Sequence, residues 1–476
     1  MMKSKTAVLK DSSRRDRTSV PEKITYGLGG VGYQMTLALV NAFLTLYYTD
    51  SVLISASFVG TMMLAARVMD GVSDIIMGFV IEKTKTRFGK ARPWVILGAI
   101  PLALSIVLLF NVPASFSPIS KNVYVFLTYV FMSVICYTIV ALAHTAMLPR
   151  ISLRSSDRNI VLVVIALMQG IMTAAMVGVF APLLQALGGE RSQHAWTVIS
   201  ALVAVTSLLL LALCFFVTRE KISALEQTPE EKNGTAADPK EKGNIKKALM
   251  FLLKGRYFYI ILILSFTGAI TNGTAGIGIY YMRDVLGDAN LMGIFSIVSV
   301  VPMIIMMPLV PKLFAKFGKK KTVSMSLGAV ILVRIVMYLF PTNLPLQLVC
   351  AFLGILIVVP LWLGIPAMVC DLVDYSDYRC GIRTEGLTTS VSSFGTKLGS
   401  GLGAVILGSA LAIGGYDPLA SAQSASALSA IIFVMFGVPL IMFVICFVLV
   451  RLWDLEKYEA AVTQYMEGQR SEGMDA

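Results

Sequence analysis

The sequence predicts an all-α polytopic membrane protein with twelve transmembrane helices in two six-helix bundles. Three observations lead to this fold class. Of the 476 residues, 56% are hydrophobic and only 14% are charged, whereas soluble domains carry about 25% charged residues. The apolar residues form runs of about the 20 residues that a membrane helix needs. A short basic loop, RFGKAR at 87–92, recurs as KFGKKK at 316–321, which indicates a duplicated six-plus-six architecture.

The net charge of +12 comes from basic residues whose positions fit a membrane protein. Basic residues lie in short loops between apolar runs, which is the pattern of cytoplasmic loops, so the lipid bilayer is a predicted partner and nucleic acid is not. The first 23 residues are polar and mostly basic, without the apolar core of a signal peptide. We therefore expect a multi-pass protein of the cell membrane with both termini in the cytoplasm.

The apolar runs also set the predicted boundaries. Residues 24–217 form a first bundle and 257–452 a second, 218–256 is a charged cytoplasmic middle loop, and 1–23 and 453–476 are cytoplasmic tails. Twelve helices with a long middle loop and both termini inside describe the major facilitator fold. The predicted spans are Ile24–Thr49, Ile54–Glu82, Trp94–Asn111, Val123–Leu148, Ile160–Leu187, Ala195–Val217, Phe258–Met282, Met292–Ala315, Val323–Phe340, Leu346–Val373, Leu387–Ile413 and Ala427–Leu452.

The first span carries Gly27, Gly29 and Gly32 at the GxGxxG spacing of a dinucleotide-binding turn. We reject that interpretation because no strand precedes the glycines and the run is a membrane span. Small residues at this density indicate close helix contact instead. Gln34 is the one neutral polar side chain of this span that could face a cavity.

The second span holds three charges in an apolar helix. At about 100° per residue, Arg67, Asp70 and Asp74 lie within about 60° of one another and share one face. A charge near the bilayer centre costs about 2.5–3.5 kcal/mol, so this face must meet a protein interior or a watery cavity. Two interpretations stay open. Arg67 and Asp70 form a salt bridge that only holds helices together, or the two carboxylates bind a cation in transit.

The fourth span places Thr138, His144 and Thr145 in an otherwise apolar context. His144 has two interpretations, a hydrogen-bonded packing group or a proton relay. A lone histidine on an apolar helix is more often the packing group.

Alternating charges mark the cytoplasmic end of the tenth span, in the string CDLVDYSDYRCGIRTEG. With the basic loop after the second span, they predict a charge network that closes a cytoplasmic gate. The predicted gate residues are Arg87, Arg92, Asp371, Asp374, Arg379 and Arg383.

The eleventh span carries Lys397 about three turns into the membrane, among glycines and serines. A lysine at that depth requires a carboxylate or a ligand as its partner. Asp70 and Asp74 are the deep acids of the other half. The sequence therefore predicts a cavity-centred cluster of Asp70, Asp74 and Lys397, with Arg67 as a further charge partner.

The chain also contains ITYGLGGVG in the first span, YYTD at 47–50, RVMDGVSDIIMG followed by RFGKARPW, and later LVDYSDY and GIRTEGLTTSVSSFGTK. Together these strings resemble the glycoside–pentoside–hexuronide:cation symporters, the melibiose-carrier branch of the major facilitator superfamily. They cover both halves at the family's spacing, and the last string is closest to glucuronide- and xyloside-type members. The resemblance implies cation-coupled symport of a sugar.

The resemblance also implies roles for individual residues. Asp70 and Asp74 form the cation site, with Thr138 nearby, and Lys397 is the charged neighbour that links the halves. Trp362 falls where the family has a cavity tryptophan.

Four positions depart from the melibiose carrier. Its sugar-binding acid of the first helix is replaced by Gln34, and the fourth-helix acid by Ala141. The aromatic residue one turn later is Thr145, and the fifth-helix arginine is Ala166. The cation machinery is thus kept while the melibiose-type sugar clamp is not. We therefore expect the substrate to be a different glycoside. An anionic hexuronide is favoured, and neutral oligosaccharides stay open as an alternative. The loss of the fourth-helix acid leaves both H⁺ and Na⁺ as coupling ions.

In the mechanism that we expect, H⁺ or Na⁺ neutralises the two acids and loosens their hold on Lys397. The sugar then meets Gln34, Thr145, Trp362 and Ser393, and the halves rock between inward and outward openings. We expect no enzyme activity, no catalytic residues, no cofactor and no metal beyond Na⁺, because the sequence shows no metal cluster and no Ser/His/Asp arrangement. The alternatives are a lipid or lysolipid transporter on the same scaffold and an uncoupled sugar transporter.

Overall fold

The computed structural model describes residues 19–84, 86–151, 155–218, 255–380, 385–420 and 422–458, together with 461, 462 and 464. Helices make up most of these residues. Outside the helices, the described part contains one isolated bridge, between Thr86 and Gly89, and no strand. Most of the predicted middle loop 218–256 lies outside the described residues, and so does Arg383.

The first compact unit lies within Met1–Glu231, Ala289–Ile297 and Pro418–Ala420. Its first helix starts before the predicted Ile24, because Ser19 and Glu22 form a capping box that fixes the helix start. In chain order the helices are α1 (Val20–Leu46), continued by a π-helix at Tyr47–Ser51, α2 (Ala56–Lys83), α3 (Arg92–Leu109), α4 (Pro118–Val130), continued by a π-helix at Phe131–Tyr137 and by α5 (Thr138–Ile151), α6 (Ser155–Ala186) and α7 (Gln193–Val217).

The second compact unit lies within Lys232–Asp288, Val298–Asp417 and Ser421–Ala476. Its helices are α8 (Arg256–Gly273), α9 (Ile277–Tyr280), continued by a π-helix at Tyr281–Val285, α10 (Leu291–Met306), whose first residues belong to the first unit, α11 (Val310–Phe317), α12 (Lys319–Leu339), α13 (Leu344–Cys380), α14 (Glu385–Gly414), α15 (Ala425–Ile432), continued by a π-helix at Phe433–Gly437, and α16 (Val438–Leu452). The buried core of this unit joins α8, α12, α13 and α16.

Eight helices of the described chain are long and apolar enough to cross a membrane, and two bent helix pairs raise this number to ten. The remaining two predicted spans are α1 and α2, with 27 and 28 residues. Both are long enough to span a bilayer at 1.5 Å per residue. Neither contains a stretch as apolar as those of the other spans, and in α2 the reason is the charged face of Arg67, Asp70 and Asp74. These helices together make the twelve predicted spans.

Two spans that the sequence predicts as continuous are broken in the structure. The seventh bends by 42° between α8 and α9, and the eighth bends by 49° between α10 and α11. Pro308 lies in the second break, where it cannot continue a helical hydrogen-bond pattern.

Both copies of the repeated basic loop contain a glycine with a positive φ. Gly89 has a φ of 109° and Gly318, at the matching position, has a φ of 80°. Side chains rarely adopt this region, so the turn favours glycine at both positions. The flanking residues differ, because Arg87 and Phe88 lie in a turn whereas Lys316 and Phe317 end a helix and Lys319 begins the next one.

Helices α8 and α14 pack backbone against backbone. A Cβ added to Gly395, Gly399 or Gly403 would lie under 3.0 Å from a carbonyl oxygen of α8. Glycines four residues apart line one side of a helix, and their Cα atoms can approach carbonyl oxygens directly. We call this the α8–α14 glycine contact. The three glycine-to-carbonyl pairs are Gly395 with Leu262, Gly399 with Phe266 and Gly403 with Ile270.

Candidate functional site

The charged face of α2 is turned into the first unit at Asp70. This residue is only 4% exposed, and its Oδ2 lies 3.8 Å from Nη1 of Arg67, one turn earlier. The predicted salt bridge is therefore present. The salt bridge involves only one carboxylate oxygen of Asp70. The other oxygen, Oδ1, has a partner from a second helix.

That second partner is Thr138. Its hydroxyl Oγ1 donates a hydrogen bond of 2.7 Å to Oδ1 of Asp70, and Thr138 is only 3% exposed. Thr138 is the first residue of α5, directly after the π-helix Phe131–Tyr137. Such π-helical segments often occur at functional sites. The resemblance implies that Thr138 lies near the acids, and in the structure it contacts one of them, Asp70.

A second hydrogen bond joins the same two spans and was not expected from the sequence. The hydroxyl of Ser73 donates to the carbonyl of Val134, inside the π-helix. Ser73 lies between Asp70 and Asp74 along α2, so it belongs to the acidic stretch. The string GVSD showed a hydroxyl beside the acids, but nothing in the sequence marked the π-helix that receives it.

One tyrosine lies near the acids, and a second packs against it. Tyr137 is within electrostatic range of Arg67, Asp70 and Asp74. Its ring meets that of Tyr33, on α1, edge to face with centroids 5.7 Å apart. Asp74 is half-buried. The first unit therefore presents two carboxylates, one arginine and hydroxyl groups in one region, a combination able to hold a monovalent cation or a proton.

His144 is a packing group in the structure. Its Nε2 donates to the carbonyl of Tyr26 at 2.8 Å, while the Tyr26 hydroxyl donates to the carbonyl of His144 at 2.6 Å. The two rings stack with centroids 4.0 Å apart. The histidine is buried and joins α5 to α1, as the favoured interpretation predicted.

The glycines of α1 make the close helix contacts predicted for them. A Cβ on Gly29 would lie 2.6 Å from Sγ of Cys214 on α7, and one on Gly30 would lie 3.2 Å from Nε2 of Gln169 on α6. The Gln169 amide also donates to the Gly30 carbonyl at 3.0 Å. Helix α1 therefore approaches α6 and α7 more closely than side chains would permit.

The predicted sugar-binding residues lie at partly or fully exposed positions of their units. In the first unit Gln34 is half-buried, and Thr145 is exposed with its hydroxyl bonded to the carbonyl of Ala141 at 2.8 Å. In the second unit Trp362 is 50% exposed, Ser393 is exposed and Lys397 is half-buried. None of these positions belongs to a buried core, as a role in binding a solute requires.

Two residues of the predicted gate, Arg87 and Arg92, contact their own unit. Arg92 donates through Nε to the carbonyl of Phe215 at 2.8 Å and lies over its ring. Arg87 is exposed and lies over the ring of Phe88.

The residues of the predicted gate that the structure describes in the second unit also contact their own unit. Asp371 pairs with Lys319 of the repeated basic loop. Arg379 donates to the Tyr375 hydroxyl at 3.2 Å, and Asp374 is half-buried. These contacts tie each basic loop to its own unit.

Comparisons with known proteins agree with one another. Residues 25–457 match the family described as MFS/sugar transport protein. The isoprimeverose transporter of Lactiplantibacillus pentosus is 28% identical over 455 residues, covering 94% of this chain and 91% of that protein. The glucuronide carrier protein homolog of Escherichia coli (strain K12) is 28% identical over 406 residues, covering 83% of each chain. A crystal structure of a D-xylose-proton symporter has a TM-score of 0.66 at 12% identity, covering 90% of this chain and 97% of its own. That likeness concerns the fold.

Proposed function

The chain belongs to the MFS/sugar transport protein family, and we propose that it carries a sugar across the membrane together with a monovalent cation. It is a transporter and not an enzyme. We place it in the cell membrane, with both termini in the cytoplasm, and we propose that it works by alternating access between inward and outward openings.

One observation supports cation coupling above the others. Asp70 is buried on a membrane helix, with Arg67 on one carboxylate oxygen and Thr138 on the other. A structural salt bridge alone needs neither a second acid one turn later nor a hydroxyl from another span. A buried acid with a half-buried acid one turn later binds a proton or Na⁺ favourably because the cation offsets the cost of their charge. We propose Asp70, Asp74 and Thr138 as the cation site.

The substrate that we propose is a glycoside, a pentoside such as a xyloside, or a hexuronide. The relatives named for isoprimeverose and glucuronide support this range. Lys397 is a deep cation in the second unit, and a sugar carboxylate would complement it. We propose Lys397 as the charge partner of the acids and as a substrate contact. Gln34, Thr145, Trp362 and Ser393 are the proposed contacts of the sugar hydroxyls.

The deciding experiment measures ion movement that a sugar induces in membrane vesicles containing the chain. Glucuronides, xylosides and galactosides are added in turn while external pH and Na⁺ are recorded. We expect one sugar class to cause external alkalinisation or Na⁺ uptake, which would identify the substrate class and the ion together.

Two results would contradict the proposal. Sugar uptake that is independent of pH and Na⁺ would indicate an uncoupled transporter. If no sugar of the panel changed external pH or Na⁺, with the chain confirmed in the membrane, sugar transport would be rejected and a lipid or lysolipid cargo favoured.

A substitution of His144 separates packing from proton relay. We expect His144→Gln to leave the pH dependence of sugar uptake unchanged, because glutamine can keep a hydrogen bond to the Tyr26 carbonyl but cannot carry a proton at neutral pH. The loss of ring stacking should lower the melting temperature of the purified protein by a few degrees. A shift of the pH midpoint by one unit or more would instead assign His144 to the proton path.

A further inference from the structure

One side of α8 leads to the break in the seventh span. Ser265, Gly268 and Asn272 are three and four residues apart, so they lie on the same side of the helix. The hydroxyls of Ser265 and of Ser392, on α14, are hydrogen-bonded at 2.8 Å. A Cβ on Gly268 would lie 3.7 Å from Cδ1 of Ile365, on α13. The side of α8 that carries Asn272 therefore faces α13 and α14.

These neighbouring segments also carry two of the proposed sugar contacts. Ser393 directly follows Ser392 on α14, and Trp362 precedes Ile365 by three residues on α13. Both Ser393 and Trp362 are exposed. Asn272 thus belongs to the same region of the second unit as the proposed contacts, although it was not among the residues predicted from the sequence.

Asn272 is the polar side chain that the break leaves available. Thr271 donates to the carbonyl of Gly268 at 2.7 Å, and Thr274 donates to the carbonyl of Thr271 at 3.1 Å. Asn272 is exposed, and within the described chain its side-chain amide makes no hydrogen bond. An amide in a membrane span is costly without a partner, so it must meet water or a polar ligand.

The opposite side of α8 suits lipid. Ile263 lies nine residues before Asn272, which is two and a half turns, and it is 41% exposed. An exposed isoleucine is favourable against lipid, whereas an exposed asparagine is not. The two sides of α8 therefore differ in the way expected for a helix between lipid and a polar cavity.

The next residue fixes the position of Asn272. A Cβ on Gly273 would lie against the carbonyl oxygen of Ser400, on α14. The close approach of the α8–α14 glycine contact thus continues to the end of α8. Ser400 follows Lys397 by three residues, so Asn272 lies about one turn further along α14 than this lysine. A side chain held by packed backbone is well suited to bind a ligand in one orientation.

From this placement we infer that Asn272 binds two neighbouring hydroxyl groups of the transported sugar. Its carboxamide offers two N–H donors and an acceptor oxygen, which match hydroxyls that both donate and accept. Broken membrane helices form substrate sites in transporters. The inference rests on the proposed function and adds an orientation to it. A charged group of the sugar lies at Lys397, and the hydroxyls lie one turn further along α14.

The test measures initial uptake against sugar concentration in vesicles, with a sugar that the unaltered chain transports. We expect Asn272→Ala to raise the half-saturating sugar concentration about tenfold, the effect of losing about two hydrogen bonds. The half-saturating ion concentration at saturating sugar should change less than twofold. An unchanged half-saturating sugar concentration, or a loss confined to the maximal rate, would overturn the inference.

Monodeoxy analogues of the same sugar separate a direct contact from a distorted break. In the unaltered chain, removal of a hydroxyl that Asn272 binds should raise the half-saturating concentration about fivefold. In Asn272→Ala the same analogue should come within twofold of the parent sugar, because the partner of that hydroxyl is already gone. If every analogue carried the same penalty in both chains, Asn272 would not touch the sugar and the inference would be overturned.

Thr271→Val is the matched control. Thr271 also lies at the break, but its hydroxyl is taken by the Gly268 carbonyl, so we expect a half-saturating sugar concentration within twofold of normal. An equal rise in Thr271→Val and Asn272→Ala would indicate general loosening and would overturn the inference. If Asn272→Ala is absent from the membrane, Asn272→Asp decides, because it keeps the shape and the acceptor but loses the donors. A raised half-saturating concentration then supports the inference, and an unchanged one overturns it.

The same measurements distinguish this inference from the proposed function. If the unaltered chain takes up no sugar of the panel, the proposed function is rejected and the inference falls with it. Sugar uptake that Asn272→Ala leaves unaltered would reject only the inference.

Discussion

Replacing Asp70 with asparagine is expected to abolish cation-driven accumulation of the sugar. One monovalent cation that moves inward down about 100 mV contributes about 2.3 kcal/mol, which supports about fifty-fold accumulation. Asparagine keeps the size of the side chain and can still accept from Thr138, but it is neutral and cannot attract the ion. The internal sugar concentration should then only equal the external one. The measurement is steady-state uptake into energised vesicles.

The control for this result is Asp454→Asn. Asp454 follows α16 and is half-buried, and it pairs with the exposed side chains of Arg256 and Lys457. Its replacement should therefore leave accumulation within twofold of normal. Exchange of labelled for unlabelled sugar should persist in Asp70→Asn if the variant is folded. Unchanged accumulation in Asp70→Asn, with the variant present in the membrane, would reject the cation site.

Replacing Gly399 with alanine is expected to destabilise the second unit strongly. The new methyl group would lie against the carbonyl oxygen of Phe266, in the middle of the α8–α14 glycine contact. The obstacle is backbone and cannot rotate away, so α14 must shift outward along its length. Overpacking of this kind costs about 1–3 kcal/mol and sometimes more, and we expect about 3 kcal/mol. The measurement is thermal unfolding of the purified protein, together with its yield from membranes.

Gly78→Ala is the matched control, since Gly78 also lies within a helix but has no heavy atom within 4 Å of its Cβ position. Alanine there should be neutral or slightly stabilising because it favours the helix. Lys397 lies between Gly395 and Gly399, so any Gly399→Ala protein that survives should also transport poorly. Equal melting temperatures for Gly399→Ala and Gly78→Ala would show that α8 and α14 are further apart than described.

Much of this arrangement could be predicted from the sequence because membrane burial is so restrictive. Three charges on one face of α2 had to turn inward, and Asp70 does so with Arg67 beside it. The repeated basic loop predicted two duplicated halves, and the glycine-rich string of α1 predicted close packing against neighbouring helices. In each case one local sequence pattern was enough for the prediction, because charged side chains are costly in a bilayer and bulky ones prevent close helix packing.

The rest depended on partners that are distant in sequence. The four-residue spacing of Gly395, Gly399 and Gly403 is visible in the sequence. It does not predict which helix they contact, which is α8 in the structure. The bond from Ser73 to the Val134 carbonyl could not be predicted, because the sequence does not show that these two residues are neighbours. The bends between α8 and α9 and between α10 and α11 interrupt runs whose hydropathy is continuous, so composition alone predicted single spans.

The π-helix in the fourth span has a consequence for how its residues can be mapped by chemical probes. A π-helical stretch fits extra chain into each turn, so the residues of α4 and those of α5 follow different rotational registers. Cysteines placed one by one along Pro118–Ile151 should show a labelling period of about 3.6 residues on either side, with a step in phase across Phe131–Tyr137. Fitting one continuous helical wheel to that whole span would therefore assign residues at one of its ends to the wrong face.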